Sequence, residues 1–313
     1  MRTWTQVGTL AALSLAAALA ACSSEAPRPG NLFGDAGSFD GSSSGAAGDA
    51  GGDVAQLSYV CGPGATWEET KLPLTGRVGS ITPDDRTLVW TAPEGGGTRI
   101  FFAERNGTDE SFQATQQLAV DPATVADDRV AITPDGLSIA FLVKSRDAFA
   151  QVTRSARGSA FGPVSRDGFA NINFDSRETR PPAGSGLGDA VWAPSSSFFF
   201  SEYGPNRAAT VIGTEPKDLT TLLDFGDPEL LPVGDKRRRP TGVAADEHTL
   251  FYWDETTQSE KVAFRAPGAD RRFVRFEDLG DRRGAVPNAN CTRLYFSRVG
   301  AGGADEIWVA KRK

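Results

Sequence analysis

His248 is the one histidine in the 313 residues, and its setting restricts the chemistry open to the chain. A Ser-His-Asp or Cys-His hydrolase needs an imidazole to take the proton of its nucleophile. Here the imidazole sits in Asp246-Glu247-His248-Thr249, a polar stretch that reads as a hairpin turn, so a solvated turn residue is expected. One histidine and three cysteines leave too few nitrogen and sulfur ligands for zinc. No Gly-x-x-x-x-Gly-Lys loop is present to cradle a phosphate. No metal and no cofactor is therefore expected. The net charge of −7 argues against a nucleic-acid partner, which would require a basic field. The sharpest charge run, Lys236-Arg237-Arg238-Arg239, is read as an exposed loop, either merely solvated or meeting an acidic partner or a lipid head group.

The elements that must position such residues repeat. ITPDDRTLVW from Ile81 and ITPDGLSIAF from Ile132 are the clearest units. Weaker copies begin at Trp192, Gly242 and Val286. Each has an extended stretch, a turn-forming group and an apolar strand that ends in or near an aromatic residue, and Asp and Gly suit such turns. The matching positions Asp84, Asp135, Ser195, Asp246 and Asn290 recur 44 to 60 residues apart, the length of one four-stranded blade. The second strands, such as Ile139-Ala140-Phe141-Leu142-Val143, are continuously apolar, as strands covered on both faces are. The expected fold is all-β, a β-propeller of five blades, with six as the alternative. Channel-lining stretches are expected at Ser80–Thr82, Val130–Thr133, Ala190–Ala193, Thr241–Ala244 and Val286–Ala289, none of which contains a carboxylate.

Thr133-Pro134-Asp135-Gly136 followed by Ile139-Ala140-Phe141 resembles the TolB-type β-propeller repeat, and Thr82-Pro83-Asp84-Asp85 departs from it by one residue. The resemblance spans roughly residues 66 to 313 and includes no separate amino-terminal α/β domain. At the other end of the chain, Arg2 precedes an alanine-rich apolar stretch that closes on Leu19-Ala20-Ala21-Cys22. The stretch is shorter than the ~20 residues of a membrane span, which makes it a secretory signal. It resembles a bacterial lipoprotein signal. The resemblance implies cleavage before Cys22, acylation of its thiol and attachment to a membrane by lipid; an ordinary signal cut after Ala-x-Ala is the alternative. Ser23 in place of aspartate favours the outer membrane by the same resemblance.

Three regions follow: a signal over 1–21, a lipidated cysteine with a Gly/Ser/Asp-rich tether over 22–55, and the propeller over 56–313. The tether holds too few large apolar residues to offset its chain entropy. The last repeat runs out of chain after Ala310, so Glu69–Leu74 is expected to supply its missing outer strand, where Pro73 is tolerated. That closure brings Cys61 near the turn holding Cys291, and export makes the pair a disulfide rather than two buried thiols. The expected function is a non-enzymatic, lipid-anchored binding or scaffold module of the cell envelope with a protein or polysaccharide partner. A carbohydrate-active propeller enzyme and a small-ligand sensor are the alternatives.

Overall fold

The computed structural model describes Cys61, Gly64–Gln113, Thr115–Arg177, Pro182–Gly204, Arg207–Glu215, Asp218–Asp224, Arg238–Arg265 and Arg275–Lys313. The signal, Cys22, the tether, Lys236 and Arg237 lie outside these residues. Every element among them is a strand. After β1 (Trp67–Thr75), a first blade holds β2 (Arg77–Ile81), β3 (Thr87–Glu94), β4 (Gly97–Glu104) and the two-residue β5 (Gln116–Gln117). The second holds β6 (Val125–Ile132), β7 (Ser138–Val143) and β8 (Phe149–Thr153). The third comprises β9 (Gly186–Trp192), β10 (Phe198–Gly204), β11 (Arg207–Glu215) and β12 (Asp218–Asp224). The fourth comprises β13 (Arg238–Val243), β14 (Thr249–Asp254), β15 (Ser259–Phe264) and β16 (Arg275–Gly280). The fifth is β17 (Arg283–Pro287), β18 (Arg293–Val299) and β19 (Asp305–Arg312), completed by β1. The first strands touch in the cycle β2, β6, β9, β13, β17 and back to β2. The fold is a five-bladed β-propeller.

Period-two alternation sends each second strand into two cores. Ile139, Phe141 and Val143 pack towards the first blade, whereas Ala140 and Leu142 pack towards the third. The five turns between first and second strands share one backbone design. Each places a single residue at positive φ: Asp85, Gly136, Ser196, Glu247 and Cys291. The residue before it, from Asp84 through Asn290, accepts the N–H two residues on. Three blades add an arginine after the third strand, whose Nε donates to the carbonyl of the positive-φ residue: Arg105 to Asp85, Arg154 to Gly136 and Arg265 to Glu247, at 2.7–2.9 Å.

Two blades have a reduced outer edge: in the first the outer strand is Gln116–Gln117 alone, and the sheet of the second has three strands. There the Asn173 carboxamide both donates to and accepts from the Phe149 backbone, and Ser165 pairs with Gln151. A side-chain amide thus stands where a strand's peptide would, leaving less of the β8 edge open.

Closure follows the expected route. β1 pairs antiparallel with β19, Trp67 opposite Arg312 and Lys71 opposite Trp308, with a bulge around Pro73. Cys61 and Cys291 form a disulfide with Cα atoms 5.2 Å apart. The ring also needs backbones to approach closely at its centre. A Cβ on Gly79 would stand 2.4 Å from the Val130 carbonyl oxygen of the next first strand. Gly79→Ala is expected to cost about 3 kcal/mol, the upper part of the overpacking range, seen as a lowered thermal midpoint. An unchanged midpoint would contradict so tight a centre.

Candidate site at the start of the inner strands

All five inner strands are bulged near their beginnings. Gly79 is left over between the pairs Val78–Trp90 and Ser80–Val89. Thr241 is left over between Pro240–Tyr252 and Gly242–Phe251. Gly188 and Asp189 oppose Ser201 alone, and Gly284 and Ala285 oppose Phe296 alone. In β6 the four residues Ala126 to Arg129 oppose Leu142. A bulge re-aims the residues it contains and bends its strand. The end of the ring opposite the Pro-Asp turns therefore carries groups that regular strands would have buried between blades.

Charged residues meet there. Asp189 is 3% exposed and lies 3.7 Å from Arg239, whose other nitrogen contacts Glu255. Asp254, wholly buried, accepts from the Thr256 backbone at 2.7 Å, with Arg238 at 3.4 Å and Lys261 at 3.6 Å. Burial pushes the Asp254 carboxyl up, but the Thr256 hydrogen bond and the Arg238 and Lys261 charges more than reverse that, holding it below 3.8. A depressed carboxyl contributes stability above its unfolded value, and that stability is lost as pH falls through the folded value. The melting temperature should accordingly drop below about pH 3.8, and Asp254→Asn should flatten that acid limb; an unaltered limb would remove Asp254 as its source.

Glu260, also wholly buried, accepts from Thr241, from the Gly284 N–H at 2.8 Å and from the Ala285 N–H at 3.1 Å. It ties the fourth blade to the bulge of the fifth. One residue before that bulge, the half-buried Arg283 places its guanidinium carbon 5.3 Å from the Trp253 ring centre.

Two expectations need correcting. The inner strands do carry carboxylates: Asp189 in β9 and Asp127 and Asp128 in β6 precede the stretches expected to line the channel. The bulges break the alternation at these points, so the strands look as though they start later. The basic run is a strand from Arg238 onward, not a loop, and its two described members face carboxylates within the ring. Half-buried His248 receives the Arg265 N–H on its carbonyl and gives its own N–H to Asp246. Among the described residues, no group of three or more His, Cys, Asp and Glu side chains is placed to hold a metal ion.

No family model matches the chain, and no curated protein matches it. Solved structures do. The chain is similar to TolB from Acinetobacter baumannii, with a TM-score of 0.46 at 12% identity over 76% of this chain and 55% of that one. It is similar to the hydrazine synthase of Kuenenia stuttgartiensis, with a TM-score of 0.37 at 14% identity over 73% of this chain and 57% of that one. A putative TolB from Agrobacterium tumefaciens gives a TM-score of 0.39 at 16% identity, over 71% and 69%. The chain thus spans little more than half the length of the first two.

Proposed function

We propose that this protein is a lipid-anchored propeller of the bacterial cell envelope that works by binding, not by turnover. Cys22 carries the lipid, residues 23–55 give reach from the outer membrane, and the end of the ring where the inner strands begin receives an envelope protein or polysaccharide. The observation that carries the binding reading is the engagement of charged groups at that end. Arg239 joins Asp189 to Glu255, and Asp254 joins Arg238 to Lys261; these largely buried pairs suit a rigid support beneath a recognition surface. An acid or base, by contrast, needs freedom to exchange its proton with a substrate.

Affinity capture from envelope extract with the full, anchored chain tests this reading. Retention of a defined protein or polysaccharide on the chain is the expected result. Incubation with envelope and plant polysaccharides is the opposing arm. Turnover abolished by Asp189→Asn would replace binding with catalysis.

A further inference from the structure

Arg283 stands apart from the other arginines at this end of the ring. Arg77 pairs with Asp305 at 2.8 Å, Arg238 faces Asp254, and Arg239 is shared by Asp189 and Glu255. Arg283, half-buried at the first position of β17, contacts the Trp253 ring and no carboxylate among the described residues. The neighbouring acid, Glu260, is committed to the two N–H groups that follow Arg283 and to Thr241. A guanidinium resting on an indole is held by the ring's negative face while its N–H donors remain unused. A cation positioned in this way, partly withdrawn from water and without a counter-ion, is prepared for an anion from outside.

We propose that Arg283, supported by Trp253, is a binding site for the carboxylate group of a ligand. This inference rests on the binding reading above and names the chemistry of the ligand. The fork of N–H donors matches a planar carboxylate at two points. The local field favours a singly charged group. Asp189, Glu255 and Glu260 belong to the same end of the ring, so a phosphate dianion meets more repulsion than a carboxylate does. The carboxylate can come from a small organic acid or from the free C-terminus of a peptide.

Titration of the full chain, followed by tryptophan fluorescence and calorimetry, tests the site. The probes are N-acetylglycinate, a tripeptide with a free C-terminus, the same tripeptide amidated, and inorganic phosphate. Saturable binding is expected for one or both carboxylates, none for the amide, and weaker binding for phosphate. The difference between the first two probes identifies the source of the group. Arg283→Met should weaken carboxylate binding at least tenfold. Arg283→Lys should fall between, because it retains charge without the fork. Arg86→Met, an equal charge change on the opposite face, should bind as the parent does. Circular dichroism and melting establish folding for each variant, and the lysine variant serves if methionine prevents it.

Equal affinity in the Arg283 variants, or no saturable carboxylate binding by the folded parent, overturns the site. Capture of the envelope partner by Arg283→Met would leave the binding reading intact while removing the carboxylate site. Loss of capture by the parent would remove the binding reading itself.

Discussion

Asp85→Ala is expected to lower stability by about 3–5 kcal/mol, the cost of removing one partner from a buried ionic cluster. Asp85 is 1% exposed at the turn of the first blade, where it meets Arg105 at 2.7 Å, Arg293 and the Tyr295 hydroxyl at 2.6 Å. Arg293 and Tyr295 belong to the fifth blade, so this carboxylate spans the seam between the chain's first and last repeats. Without it, Arg105 loses its counter-charge and Arg293 keeps only the exposed Asp109, in a site with little water. Burial, then the charge of Asp85 and its hydrogen bond, push the Tyr295 phenol far above its ordinary value, so the hydroxyl stays protonated and donates. Tyr295→Phe removes the hydrogen bond donated to Asp85 and the one accepted from Arg105 at 2.8 Å, but leaves the carboxylate its two arginines, and should cost less, about 1.5–3 kcal/mol. Chemical denaturation of the three proteins checks the order; equal midpoints for Asp85→Ala and the parent would deny the cluster its role.

Reduction of the disulfide is the second large effect. Cys61 and Cys291 are 230 residues apart, and a cross-link over that separation restricts the unfolded chain by roughly 5 kcal/mol in the loop-entropy account. In a domain of this size each kcal/mol moves the midpoint by roughly 2–4 °C, so reductant should lower it by roughly 10 °C or more. Calorimetry with and without reductant, with Cys61→Ala/Cys291→Ala as the chemical equivalent, measures this. No shift would mean that β1 pairing and the polar seam suffice alone. The two losses should not add, because Cys291 lies two residues from Arg293 and both act on one seam.

The wheel was legible because its turns are built from residue types with few other uses. Thr-Pro-Asp-Gly dictates both a positive-φ position and a side chain that caps it, and even the degenerate copies at Ser195 and Asn290 keep the second property. The missing outer strand was legible from simple accounting, since the last repeat lacked one and Glu69–Leu74 lacked a place. The starts of the inner strands were not. A bulge destroys the period-two pattern by which a strand is recognised, so the stretches expected to line the channel began only after Asp189, Arg239 and Arg283. One signal was available. Gly79, Gly188, Gly242 and Gly284 fall at or beside the bulges of four inner strands, and an isolated glycine in a strand marks such a kink. The arginine after the third strand could also have been read, because it recurs 18 to 20 residues beyond the turn residue whose carbonyl it holds.

The position of Cys61 has a mechanical consequence. A strand paired along its length and pulled from one end unzips bond by bond, and β1 begins at Trp67 as just such an outermost strip. A load arriving from residues before Cys61 reaches the covalent link first and passes into the hairpin of the fifth blade, bypassing that strip. Traction that would peel an unlinked ring open is instead passed through Cys291 into the turn between the first two strands of the fifth blade.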